Sequence, residues 1–107
     1  MITVHVSKQQ DGVPKQFCMD GHAGFAEYGN DIVCAAVSAL FINTVNAIET
    51  FTEDPFQLEM DDKKDRIVLQ MSGEIHDGSA ILLRALLLGL DGIQEEYGEE
   101  YIRIICK

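Results

Sequence analysis

Residues 31–52 read DIVCAAVSALFINTVNAIETFT, and this stretch predicts the longest element of the fold. Its core-type side chains recur every three or four residues, the spacing that places them along one side of an α-helix. Asn30 or Asp31 supplies an N-cap, and Glu53-Asp54-Pro55 ends the helix. The predicted stripe consists of Val33, Val37, Leu40, Phe41, Thr44 and Ile48.

Outward from this helix, the chain alternates between strand and helix patterns. Apolar and polar residues alternate from Ile2 to Ser7, and residues 15–20 follow as the second strand of a hairpin. A second hairpin is predicted over 57–61 and 66–72, a second helix over 77–97 up to Gly98, and a closing strand over 101–106. The order ββαββαβ predicts an α+β (mixed α/β) fold, with two helices packed on a mostly antiparallel sheet.

Length and charge bound the function. The 107 residues predict a single domain over 1–107, and 18 acidic against 8 basic residues give a net charge of −10. Phosphate binding needs clustered Lys and Arg, so we expect no direct nucleic-acid partner and a preference for basic proteins. The run Ile81–Leu90 is about half the length of a membrane span, so no membrane partner is expected either.

Cysteine usage points to the cytoplasm. Cys18, Cys34 and Cys106 make an odd number, and no export signal precedes them, which favours free thiols in a reducing compartment. The second helix is apolar on nearly all sides, which predicts cover from a second subunit and therefore a homodimer.

One pair of residues suggests chemistry: His22, within the glycine-bearing stretch 21–30, and Cys34, in the predicted first turn of the helix. A helix N-terminus favours the thiolate, and a nearby imidazole completes a Cys–His pair suited to covalent acyl transfer. Two other readings stay open. A helical cysteine flanked by Val33 and Ala35 is more often a small core residue than a nucleophile. Cys18, His22 and Cys34 form an incomplete set of metal ligands, so no metal and no cofactor are predicted.

Neighbouring residues have weaker signals. Asp31 is suited to capping the helix, and Ser38 shares a helix face with Cys34, where its hydroxyl could bond near the thiol or to the carbonyl of residue 34. The glycines at 21, 24 and 29 predict a loop over 21–30.

The segment 19–39, MDGHAGFAEYGNDIVCAAVSA, resembles the bacterial ribosomal-processing cysteine proteases. The pattern lies in Gly-His-Ala, Glu-Tyr-Gly and Asp-Ile-Val-Cys-Ala-Ala, followed by Ser38. The resemblance implies a dimeric cytoplasmic peptidase that removes a short N-terminal extension from a large-subunit ribosomal protein precursor. It implies Cys34 as nucleophile and His22 as base, with Gly21, Asp31 and Ser38 in support. It also implies a loop that covers the site, whose members are Gly24, Phe25, Tyr28 and Gly29.

A non-enzymatic function stands as the alternative. A dimeric assembly factor that binds a basic ribosomal protein would have the same charge and the same helices, with Cys34 as a core residue.

Overall fold

A computed structural model describes residues 1–21, 28–61 and 63–107, without the side chains of 28–31. The elements are β1 (Ile2–Lys8), β2 (Pro14–Asp20), α1 (Tyr28–Phe51), β3 (Phe56–Asp61), β4 (Arg66–Met71), α2 (Asp77–Tyr97) and β5 (Ile102–Cys106). The predicted order and class are confirmed, and most boundaries fall within one residue of the prediction.

The five strands within the described residues form one sheet in the order β3-β4-β2-β1-β5. Every neighbouring pair is antiparallel except β1 and β5, which run parallel, with Val4 beside Ile104. The alternation in β1 therefore has its expected meaning: Ile2, Val4 and Val6 are buried toward the helices, and the residues between them face away.

Both helices pack against each other and against this one face of the sheet. The core is made of apolar side chains from both layers, including Phe17, Leu69, Val33, Val37, Phe41, Leu83, Leu86 and Leu90. The segment Ile32–Phe51 of α1 has a mean hydropathy of 1.7 and is long and apolar enough to cross a membrane by length and composition alone. In the fold its stripe lies in the protein core, which gives the apolar composition a structural role.

The start of α1 differs from the prediction. The helix begins at Tyr28, three residues before the expected position, so Tyr28, Gly29 and Asn30 are helical rather than part of a loop. Gly costs about 1 kcal/mol in a helix, and the prediction followed that preference. A 24-residue helix packed on a sheet can override a cost of that size.

The start of α2 is held by a side chain from the segment between α1 and β3. Asp54 is buried, and its carboxylate accepts hydrogen bonds from the His76 backbone N–H at 2.8 Å and from His76 Nδ1 at 2.6 Å. His76 is the N-cap residue of α2. This pair therefore connects the segment that follows α1 to the start of α2.

Candidate active site

At one end of the sheet, β1 and β4 begin and β2 and β3 end. Because β1 and β4 run antiparallel to β2, both begin where β2 ends, at Asp20. Since β3 runs antiparallel to β4, its last residue, Asp61, lies beside Arg66 at the same end. The chain leaves β2 here and returns as α1, so the residues that follow Asp20 start from this edge.

A cavity of about 200 Å³ lies at this end, between the sheet and α1. Its apolar lining comes from Ile2, Met19, Met60 and Ile67, and its other lining residues are Gly21, Cys34, Ser38, Asp61, Asp65 and Arg66. A space of this size holds one or two side chains rather than a whole small-molecule ligand. It is therefore suited to part of a peptide.

Cys34 lines this cavity and is half-buried, packed against the edge of the core. It is the seventh residue of α1 and lies in the second helical turn, not in the first turn as predicted. The helix dipole acts mainly within the first turn, so its support for a thiolate is weaker here than the sequence suggested. Any activation of Cys34 must therefore come mainly from a neighbouring group.

Ser38 lies one turn further along α1 and lines the same cavity. Its expected bond to the carbonyl of Cys34 is not found within the described residues, where Thr44 and Thr52 make the equivalent bonds to Leu40 and Ile48. Ser38 thus contributes to the lining of the cavity without this bond to its own helix.

Gly21 forms the cavity wall on the β2 side. Its φ is +91°, and an added Cβ would stand closer than 3.0 Å to the carbonyl oxygen of Met1. Its backbone N–H donates to the carbonyl of Asp65 at 3.1 Å. Gly21 is therefore required both by backbone conformation and by close approach.

An ion pair adjoins Gly21. Arg66 Nε lies 2.6 Å from Asp20 Oδ1, and the two residues are direct cross-strand partners of β4 and β2. This link fixes the end of β2 to the start of β4 on the sheet face away from the helices.

The remaining predicted site residues lie outside what the structure describes. His22, Gly24 and Phe25 are among residues 22–27, and only the backbone of Tyr28, Gly29 and Asp31 is described, within α1. The structure therefore brings together Gly21, Cys34 and Ser38 from the predicted set, and the roles of the others stay predictions.

Cys18 lies away from this cavity. Its β2 neighbours Phe17 and Met19 are buried toward the helices, so Cys18 occupies the opposite face of the sheet. Partial burial and the nearby Asp20 carboxylate raise the pKa of the Cys18 thiol. The sheet lies between Cys18 and Cys34, and the described residues contain no cluster of three metal-binding side chains.

Sequence reasoning missed the β3–β4 side of the cavity. Met60, Ile67, Asp65 and Arg66 line it, but their segment looked like an ordinary charged hairpin. The one available signal was the alternation of Leu58 and Met60 in β3, since an apolar face on an edge strand needs a partner.

Comparison with known proteins identifies the family. A family model described as cysteine protease Prp matches residues 1–103. The chain belongs to this family.

Prp-family relatives match along nearly the whole chain. The ribosomal processing cysteine protease Prp of Staphylococcus aureus (strain Mu50 / ATCC 700699) is 36% identical over 99 residues, which cover 92% of this chain and 93% of the relative. The protein of the same name from Bacillus subtilis (strain 168) is 27% identical over 101 residues, which cover 91% and 90%.

Solved Prp structures share the fold. The S. aureus protease in complex with a substrate peptide superimposes with a TM-score of 0.91, and its complex with a covalently linked product peptide with a TM-score of 0.89. Each is 36% identical, and the match covers 100% of both chains. A Prp protease depends on a cysteine, and of the three in this chain Cys34 is the one that lines the described cavity.

Proposed function

We propose that this protein is a cytoplasmic cysteine endopeptidase that removes a short N-terminal extension from a large-subunit ribosomal protein precursor. Cys34 is the nucleophile and His22 the general base. The observation that carries the proposal is the position of Cys34: half-exposed, in a cavity with apolar walls, opposite the point where the chain leaves β2 toward His22.

The reaction follows the chemistry of a thiol and an imidazole. His22 takes the proton of the Cys34 thiol, and the sulfur attacks the carbonyl carbon of the scissile peptide bond. The carbon–nitrogen bond breaks as the imidazolium gives its proton to the leaving amine, which leaves a thioester on Cys34. Water, deprotonated by His22, then attacks this thioester. The carbon–sulfur bond breaks, His22 returns the proton to the Cys34 sulfur, and the extension leaves as a carboxylic acid that ionises in solution. Proton transfer by a positioned base of this kind is worth about 10²–10⁴-fold in rate.

The cavity supports an apolar extension as substrate. Met60 is 65% exposed and Leu58 is 41% exposed, and both lie on the sheet face that the helices cover elsewhere. They continue the apolar wall formed by Ile67 outward along β3. An extended peptide with apolar side chains would cover them while its carbonyl group reaches Cys34.

The negative charge of the chain suits the mature part of the substrate, which is a basic ribosomal protein. A net charge of −10 attracts a basic ribosomal protein and repels the phosphates of RNA. Association should therefore be steered by the mature part of the precursor, whereas the cavity reads the extension.

A homodimer belongs to this proposal. Ile42 on α1 and Ile81 and Leu88 on α2 are 59%, 64% and 74% exposed. Large apolar side chains on the outer surface of helices mark an interaction surface, and a second copy of the chain is the occupant that the sequence predicts.

The assembly-factor reading is not favoured. Cys34 packs only against the edge of the core and also lines the cavity, a position that a purely structural thiol does not need. The S. aureus protease, whose fold this chain shares, has been solved with a covalently linked product peptide.

The test is incubation of the protein with the full-length precursor, followed by mass measurement of the products. We expect two new species whose masses add to that of the precursor plus one water, and none with Cys34→Ser. Cys106→Ser is the matched control and should cleave normally, because Cys106 is exposed in the last strand. Normal cleavage by Cys34→Ser would refute the assignment of the nucleophile. An intact precursor with the unmodified protein would refute the peptidase.

A further inference from the structure

The segment that carries His22 is attached to the sheet by three contacts at its first residues. Asp20 pairs with Arg66 at 2.6 Å, and the Gly21 N–H donates to the Asp65 carbonyl at 3.1 Å. Gly21 also lies tightly against the carbonyl of Met1. Two of these contacts come from adjacent residues, Asp65 and Arg66, where the β3–β4 turn enters β4.

These contacts matter for His22 because of covalent geometry. Successive Cα atoms are about 3.8 Å apart, so the position and direction of Gly21 restrict where the backbone of residue 22 can begin. Gly21 lines the same cavity as Cys34. A displacement of Asp20 and Gly21 would therefore shift the backbone of residue 22, which carries the proposed base.

We infer that Arg66, through its ion pair with Asp20, is a positioning residue that holds Gly21, the residue before His22, in the wall of the cavity that Cys34 lines. This inference rests on the proposed function, since it assumes that His22 acts as the base. Arg66 also lines the cavity, but the inferred role acts through Asp20 and Gly21, and the reversed pair described below separates it from a direct contact with the substrate. Its guanidinium is suited to the role because a charge-assisted bond to a carboxylate is short and directional.

The energetics separate positioning from stability. The side chains of Arg66 and Asp20 are 46% and 30% exposed, and an ion pair at that exposure contributes little to folding. An error of about 1 Å in a catalytic group, however, can cost about 100-fold in rate. Loss of the pair should therefore change the melting temperature little and lower turnover strongly.

The test compares Arg66→Ala, Asp20→Ala and the reversed pair Asp20→Arg/Arg66→Asp. The substrate is a synthetic peptide that spans the cleavage junction of the precursor. We expect each single variant to lose at least about tenfold in kcat with a smaller change in KM, and the reversed pair to recover most of that loss. The control is Arg103→Ala, which removes the same charge from the same row of the sheet face, on β5.

A second readout follows the thiol directly. On a Cys18→Ser/Cys106→Ser background, the rate of Cys34 alkylation by iodoacetamide is measured against pH. In Arg66→Ala the neutral-pH rate should fall, because the proposed base is no longer positioned to take the proton of the Cys34 thiol. A purely structural role would change the melting temperature and leave this profile in place.

The outcomes are distinct. Single variants with the kcat and alkylation profile of the unmodified protein overturn the inference, and so does a folded reversed pair that stays as slow as the single variants. Failure of the proposed function would appear instead in the unmodified protein, as no cleavage and no rapid alkylation of Cys34.

Discussion

The carbonyl oxygen of Met1 lies directly beneath Gly21, in the space that a Cβ atom would occupy. Met1 thus packs against Gly21, the residue that immediately precedes His22. The contact also explains why a glycine stands at this position, which the sequence pattern alone left as one turn glycine among several.

Gly21→Ala should therefore damage both stability and turnover. Gly12 provides a matched control, since its φ of +92° is nearly the same as the +91° of Gly21 but nothing lies within 4 Å of its Cβ position. Gly12→Ala should cost about 1–2 kcal/mol of unfolding free energy from backbone strain alone. Gly21→Ala should cost more and should lower kcat in addition. Urea denaturation and peptide cleavage measure the two effects, and equal losses for both variants would show that the Met1 contact is unimportant.

The Asp54–His76 pair predicts a defined pH dependence of stability. The His76 backbone N–H, followed by the Ser79 hydroxyl and the His76 side chain, holds the pKa of Asp54 below its usual value of 3.8 against the opposing effect of burial. The hydrogen bond to Asp54, its charge and that of Glu74 raise the pKa of His76 above 6.5. The contribution of Asp54 is lost as pH falls below about 4, and that of His76 is lost as pH rises above 6.5 through its raised pKa.

Denaturation between pH 3 and pH 9 checks this expectation. His76→Gln should flatten the alkaline limb and leave most of the acid limb, since Asp54 retains its bond to the backbone. Asp54→Ala should cost about 1–3 kcal/mol at pH 6, because it leaves a backbone donor without its partner. His5→Gln, on the outer face of β1, is the control. An alkaline limb unchanged by His76→Gln would exclude His76 from the effect.

Much of the fold could be predicted from sequence because its signals are local. The alternation of apolar and polar residues located β1 to within one residue, and Gly98 correctly marked the end of α2. The start of α1 could not be predicted, because the poor helix propensity of Gly29 is outweighed by packing that sequence does not reveal. The links from Asp20 to Arg66 and from Asp54 to His76 join residues 46 and 22 positions apart, and they depend on the strand order. That order places β4 beside β2, and no local pattern specifies it.

The candidate site divides in the same way. Cys34 could be predicted because it lies near the start of a helix and close in sequence to His22, Ser38 because it shares a helix face with Cys34, and Gly21 because it belongs to the motif of the family. Met60 and Ile67 required the knowledge that β3 lies at the edge of the sheet, beyond the cover of the helices.

The proposed dimer should be held by apolar contacts. Two subunits with a charge of −10 each repel, so added salt should preserve or tighten the dimer by screening that repulsion. Leu88→Glu on α2 should dissociate it, whereas Leu58→Glu, an equally drastic change on β3, should not. Sedimentation at low and high salt measures both effects. A dimer that dissociates as salt rises would mean that ion pairs hold it.

The lid predicted for residues 21–30 can be tested by hydrogen exchange. If Phe25 and its glycine neighbours close over a bound peptide, amide exchange across 22–27 should slow when an uncleavable precursor peptide is added to Cys34→Ala. Residues 28–30, which belong to α1, should change less. Equal and strong protection across 22–27 in both states would indicate a preformed site and remove the lid from the mechanism.

The central claim is that Cys34 forms a covalent bond to the extension, and trapping that intermediate tests it most directly. A Cys18→Ser/Cys106→Ser protein, which retains Cys34 as its one thiol, is mixed with excess precursor and quenched in acid within the first turnover. We predict an added mass equal to that of the released extension less one water, located on Cys34 by fragmentation. Cleavage that proceeds without an adduct on Cys34, and that persists in Cys34→Ser, would contradict the account.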